Sequence, residues 1–223
     1  KLNICNKIGY RLIQIFSDEW INKQEIVKNR IKHILNLSND RIYARLCKIK
    51  EIEIKEAKKF INEYHLQGNI GSILRLGAYY KNELVAVMTF SNSSIAKGRK
   101  IDNKKSFEIA RFCMKLNVIG IASKLLRYFQ KNYEWNEIYT FADRRWSDGN
   151  LYEKIGMEFI KNTKPNYWYW KNKPIRYHRF KFRKNVLHKQ LNMFDPNLTE
   201  YENMLNNGWN RIWDCGSIKY EMI

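Results

Sequence analysis

The stretch from Phe107 to Ile160 constrains the fold of this chain more than any other. Read in order, it is a strand, a glycine-containing turn, an amphipathic helix, a strand, a polar loop, a short helix and a strand. Over Ile121–Tyr133, Leu125, Leu126 and Phe129 share one face while Lys124, Arg127 and Lys131 fall elsewhere. That is the 3.6-residue period of a helix with one buried side. Ile138–Ala142 (IYTFA) is short, apolar and rich in β-formers, as a buried strand should be. The predicted class is therefore α/β (α+β), a sheet flanked by helices. The second strand runs into Asp143-Arg144-Arg145-Trp146, at a carboxyl end where open α/β sheets place their sites.

Two phrases in this stretch carry a resemblance. The turn reads Asn117-Val118-Ile119-Gly120-Ile121-Ala122, followed by Ser123 and Lys124, and Asn150-Leu151-Tyr152-Glu153-Lys154-Ile155-Gly156-Met157-Glu158-Phe159 comes later. Together they resemble the centre of the GNAT N-acyltransferase fold, with its Gln/Arg-x-x-Gly-x-Gly/Ala turn and N-x-x-Y-x-x-x-G-F segment. Gly120 and Ala122 match, Asn117 stands where Gln or Arg is usual, and Met157 stands where Phe is commoner. The resemblance implies a mixed, mostly antiparallel central sheet. It also implies an acyl-CoA whose pyrophosphate is held by Asn117, Gly120, Ala122 and Ser123, on main-chain amides at a helix start. A proton donor and a base would complete such a site. Tyr152 is the expected donor, or else a core tyrosine. His65 is the expected base, or else a structural hydrogen-bonding residue. Asp143 is a third catalytic candidate, or a carboxylate that orients a neighbouring guanidinium.

Charge is the strongest compositional signal. Lys and Arg number 41 against 22 Asp and Glu, a formal net charge of +19, and 14% of residues are aromatic. This favours a polyanion partner, most simply DNA or RNA, over a merely well-solvated basic surface. Arg144 and Arg145 followed by Trp146 suit phosphate contact and base stacking, with Arg111 on the neighbouring strand. The alternative is a structural salt-bridge corner. Arg176, Arg179, Lys181 and Arg183, interleaved with aromatic residues, suit a backbone track. Alternation at Arg179–Arg183 would line its cations up along one side of an extended segment.

Cys5, Cys47, Cys113 and Cys215 are scattered, with no C-x-x-C pair and no His at zinc spacing, so no metal site is expected. No apolar run is long enough to span a bilayer and there is no signal peptide, which points to the cytoplasm and away from membranes. Asp40 with Glu53-Ile54-Lys55 has the letters of a nuclease site, but Glu53 opens a helix, so coincidence is the better reading.

Elsewhere, Tyr10–Phe16 reads as a strand and Trp20–Leu35 as a basic helix. Arg41–Ile49 is an expected strand, Ile54–Tyr64 a helix, Leu74–Tyr80 and Leu84–Phe90 a hairpin. Ser91–Lys105 is an expected mobile loop, Pro165–Trp170 an aromatic strand, and Asp195–Glu200 the cap of a short helix. Gly9–Trp20 resembles the closing strand and helix of nucleases related to very-short-patch-repair enzymes. Ile42–Tyr220 resembles the carboxyl-terminal domain of phage homing-endonuclease-like proteins, through "FADRRWSDGNLYEKIGMEFI" and "FDPNLTEYENMLNNGWNRIWDCG". These resemblances imply a nuclease tail at 1–37, a boundary at Ser38-Asn39-Asp40 and a GNAT-like domain at 38–223. Any metal-dependent cleavage would need carboxylates upstream of Lys1. The leading expectation is a phage-type DNA-binding part of an endonuclease. The alternatives are an acyl or aminoacyl transferase, with DNA bases as one target, and an inactive interaction module.

Overall fold

The structure, a computed structural model, describes residues 1–37, 41–92 and 105–223. The expected boundary at 38–40 and most of the expected 91–105 loop lie outside the described residues. In chain order the first elements are α1 (Leu2–Lys7), α2 (Ser17–Asn22), α3 (Gln24–Ile34), β1 (Arg41–Tyr43), β2 (Lys48–Glu51) and α4 (Ile54–Tyr64). Next come β3 (Leu74–Tyr80), β4 (Glu83–Asn92), β5 (Ser106–Met114), β6 (Asn117–Ile119), α5 (Ile121–Asn132) and β7 (Glu137–Asp143). The last are α6 (Asn150–Lys154), β8 (Glu158–Asn162), β9 (Tyr167–Trp170), β10 (Tyr177–His178), α7 (Lys184–Leu187), α8 (Glu200–Asn206), β11 (Asn210–Trp213) and β12 (Ser217–Met222).

The chain divides into two compact units. The sheet unit comprises Glu25–Ala142, Ser147–Lys161 and Ile218–Ile223. Its seven-stranded sheet has the order β2-β3-β4-β5-β7-β12-β8. β2, β3, β4 and β5 run antiparallel to their neighbours, whereas β5 and β7 are parallel. The expected mixed, mostly antiparallel sheet is therefore present. The β3–β4 turn places Lys81 and Asn82 at φ 47 and 64, the left-handed geometry that joins a two-residue hairpin. One sheet face packs on α5 through Leu125, Leu126 and Phe129, against Phe90, Ile109 and Ile138. The other packs on α4 through Ala57, Phe60 and Ile61, against Val87 and Cys113. Phe90 and Phe129 stack with centroids 4.0 Å apart. Burying two such faces is the main term holding the sheet together. The expected Arg41–Ile49 strand is broken: β1 pairs in parallel with β6, a 3-10 turn at Ala44–Leu46 comes next, and β2 joins the main sheet.

The aromatic unit comprises Lys1–Gln24, Asp143–Trp146 and Asn162–Ser217. Its three-stranded antiparallel sheet has the order β10-β9-β11. Tyr169, Phe182, Leu187, Leu191 and Met204 form its core. Thr199 caps α8 reciprocally with Glu202, as the capping residues imply.

Two expectations are corrected in this unit. Tyr10–Phe16 is not a strand, because among the described residues no neighbouring strand offers it a ladder. It is held instead by Gln14 N–H on the Arg145 carbonyl (3.4 Å) and by Arg11 on the Trp146 carbonyl (3.1 Å). Arg179–Phe182 is a 3-10 turn rather than an extended cationic track. His178 Nδ1 accepts from the Phe180 N–H (3.3 Å) and Phe182 turns into the core, which removes the alternation.

Candidate functional site

The unusual geometry of the sheet unit lies between β5 and β7. β5 and β7 pair from Ser106↔Glu137 to Glu108↔Tyr139, and there the ladder stops although β5 continues to Met114 and β7 to Asp143. Just beyond, Thr140 Oγ1 donates to the Ile109 carbonyl (3.1 Å). On the other side of β5, Phe90 pairs with Ile109 and Thr89 with Arg111, so Ala110 is an extra residue. This β-bulge re-aims the side chains of the next residues. Ile109 lies in the α5-side core and Cys113 in the α4-side core, and Arg111, two residues before Cys113, is carried to the α4 side.

Arg111 is half-buried. It donates through Nε to the Gly68 carbonyl (2.8 Å) and through Nη1 to the Ala110 carbonyl (2.7 Å). Burial lowers its pKa, and the nearby Glu108, Cys113 and Tyr152 oppose that. Glu108 is 7% exposed. Tyr152, on α6, lies beside the Thr140 hydroxyl. Burial raises its pKa, outweighing the Thr140 hydroxyl and the charges of Arg30 and Arg111, so the phenol stays protonated at neutral pH. Groups on β5, β7 and α6 thus converge where the parallel pair opens.

The expected cofactor residues sit at one edge of the same unit. Gly120 takes φ 79 as the N-cap of α5, a conformation that favours glycine. No side chain caps this helix, so the amides of its first turn, including Ala122 and Ser123, have no intrahelical partner. Asn117 pairs with Arg41 across β1 and β6, which sets an exposed cation beside the residue that departs from the expected turn. Lys124 Nζ binds the Ala44 carbonyl (2.9 Å) and also reaches the Cys47 carbonyl, fixing the turn against α5. His65 ends α4. Its Nδ1 accepts from the Gln67 N–H (3.2 Å), and its carbonyl accepts from Gly68 N–H in the turn that holds Arg111.

Of the two readings of the Asp143–Trp146 cluster, the geometry is that of a salt-bridge corner rather than a phosphate contact. Arg145 is 3% exposed and Trp146 is 3% exposed. Arg145 donates to Asp143 Oδ2 (2.7 Å) and to Glu19 Oε2 (2.9 Å), and its guanidinium lies 4.3 Å from the Phe16 ring centre. Arg176 lies 3.6 Å from that ring centre and pairs with Asp18 (2.7 Å) and Glu19 (3.0 Å). Arg144 binds the Cys215 carbonyl (3.1 Å) and Asn3 Oδ1 (2.9 Å). The physical reason is Glu19: a buried carboxylate must be paired, and two guanidiniums pair it. Asp143 accordingly orients Arg145, and Arg145, Trp146 and Arg176 face inward rather than toward a phosphate chain. Of the expected nucleic-acid contacts, Arg179, Lys181 and Arg183 are the exposed ones. Thr140, Arg30, Glu108 and Arg41 escape sequence reasoning. Strand pairing places Thr140, Glu108 and Arg41, and the packing of α3 places Arg30; neither has a local signature.

Among the described residues no three His, Cys, Asp or Glu side chains converge as metal ligands, and no helix is long and apolar enough to cross a membrane.

A sheet of this order, with its parallel β5–β7 pair opening and a glycine-capped α5, defines a GNAT-like fold. Solved structures that resemble it include Arabidopsis thaliana Naa50 in complex with the bisubstrate analogue CoA-Ac-MVNAL, with 13% identity, coverage of 80% of this chain and 99% of that one, and a TM-score of 0.45. They also include an IAA acetyltransferase from Bacillus cereus, with 14% identity, 79% and 98% coverage, and a TM-score of 0.40. The strand order, rather than these distant likenesses, defines the architecture. No curated protein matches the chain. The profile of the Mom protein family matches residues 46–207, and the chain belongs to that family.

Proposed function

We propose that this chain is a GNAT-type transferase that uses an acyl donor to modify a base of DNA. The observation that carries the reading is the opening of β5 from β7 after Glu108↔Tyr139, lined by Arg111, Thr140 and Tyr152. The residues fit an acyl-CoA: uncapped amides at the start of α5 suit a pyrophosphate, and Arg41 supplies a cation beside Asn117. Such a thioester, when bound, supplies an activated acyl group. Gly120, Ala122 and Ser123 would hold its phosphates. Tyr152 keeps a proton on its phenol oxygen beside Thr140, which suits it to protonate a leaving anion. Arg111 holds the bulge and the 65–68 turn in place.

The charge of +19 supports DNA as the acceptor. Membership of the Mom family, a family tied to phage DNA modification, supports modification over cleavage. The endonuclease reading gains no support from the match. Mass spectrometry of nucleosides from DNA of cells expressing the chain tests the proposal. A base of increased mass is expected with the native chain and not with Tyr152→Phe. Unmodified DNA, together with no calorimetric binding of acetyl-CoA, would refute an acetyl-CoA-dependent reaction.

A further inference from the structure

The aromatic unit carries a feature that the transferase site does not use. Between Glu158 and Asp195 the chain has ten Lys or Arg and no Asp or Glu. At one end of the β10-β9-β11 sheet, aromatic and cationic side chains from this unit form a continuous row. Trp213 and Tyr167, cross-strand partners, have ring centroids 5.0 Å apart. Arg179 lies 5.3 Å from the Tyr167 centroid and 5.6 Å from that of Phe180. Arg183 lies 6.0 Å from the Phe180 centroid. Trp213 is 52% exposed and Phe180 57% exposed, and both arginines are exposed. No acidic side chain among the described residues pairs with either arginine. The row is held in place from behind. Tyr167 donates to Glu200 (3.0 Å), and Phe180 stacks on His178 at 5.1 Å.

Exposed apolar rings between unpaired cations suit a ligand that is itself flat, apolar-faced and anionic at regular intervals. A duplex buries its base faces in the stack, whereas an unpaired strand offers them. A protein that acts on a base either works on a single strand or takes that base out of the stack, so an unpaired strand is the readier substrate. We propose that the row Trp213–Tyr167–Arg179–Phe180–Arg183 is a platform for unpaired DNA, with Phe180 and Trp213 stacking on bases and Arg179 and Arg183 meeting phosphates. This rests on DNA being the acceptor, and it assigns that acceptor an unpaired form at this surface.

The test is fluorescence anisotropy with a labelled dT12 strand and a labelled 12-base-pair duplex at two salt concentrations, using the full chain. Phe180→Ala, Phe180→Leu and Trp213→Ala should each weaken strand binding about tenfold and change duplex binding less than about twofold. Phe180→Leu keeps the apolar bulk and loses the aromatic face, so its loss is not one of folding. The double variant Arg179→Ala/Arg183→Ala should weaken both ligands and flatten the salt slope for the strand by about 1.4, two phosphates' worth. Strand binding unchanged in the aromatic variants, with the double variant still weak, would overturn the platform and leave DNA as acceptor. Tighter binding of a matched RNA strand would overturn the assignment to DNA. Binding of neither DNA would overturn the platform and the DNA half of the proposed function together, while acetyl-CoA calorimetry tests the donor half separately.

Discussion

Replacing Arg145 by Ala separates an internal strut from a phosphate contact. Arg145 is 3% exposed, and its guanidinium pairs with Glu19, itself 6% exposed, and with Asp143. Removing one partner of a buried pair costs about 3–5 kcal/mol, because a charge is left uncompensated. Here Arg176 still donates to Glu19 Oε1 at 3.0 Å, and the Asp143 side chain is 23% exposed and can rehydrate. The loss should therefore fall at the low end, about 3 kcal/mol. With a urea m-value of about 2 kcal/mol/M, the unfolding midpoint should drop by about 1.5 M. Glu19 adds a pH dependence. Burial pushes its carboxyl up, but Arg145 and Arg176 outweigh burial and bring it below its ordinary value of 4.5. A depressed folded value means that the stabilisation is present above 4.5 and is lost as the pH falls through the lower folded value. Without Arg145 the folded value rises, so acid unfolding should begin at higher pH. The assay is urea and acid unfolding monitored by circular dichroism, beside DNA titrations across salt. An unchanged midpoint, together with a salt slope reduced by about 0.9, would show Arg145 to be a phosphate contact and refute the reasoning.

Three further outcomes are expected. Tyr152→Phe should cut DNA modification at least about a hundredfold while leaving DNA affinity unchanged, and activity within about twofold of the native chain would remove the phenol from the chemistry. Gly149→Ala would put a Cβ 1.7 Å from the Tyr220 hydroxyl at φ 90, so thermal unfolding should show a loss of about 2 kcal/mol or more, and an unchanged melting temperature would contradict the packing. Burial pushes the Cys113 thiol up to about 12, so mass spectrometry after alkylation at about pH 8 should find native Cys113 unmodified and half-exposed Cys5 labelled first.

The sheet unit is legible where one period dominates a long segment. Ile54–Tyr64 is helical over the expected residues, and α5 and β7 differ from their expected spans by one residue at any end. In α5, burying Leu125, Leu126 and Phe129 on one stripe leaves no competing structure. Short segments mislead. Tyr10–Phe16 has the composition of a strand, yet a strand exists only if another chain segment completes its hydrogen bonds. Arg179–Phe182 alternates, yet Phe182 turns into a core that local sequence does not encode. Asp143-Arg144-Arg145-Trp146 is a dense polar cluster in sequence. Whether it faces water depends on Glu19, 126 residues away along the chain from Arg145.

By itself, the sequence determined the class of fold, the glycine-capped start of α5 and the excess of positive charge, because each is written in adjacent residues or in plain composition. Tertiary structure decided which cations are spent internally, where β5 leaves β7, and which face of β5 carries Arg111. Those outcomes turn on register and on long-range pairing. A single-residue bulge or a distant carboxylate reverses the direction of a side chain without leaving any trace beside it in the chain.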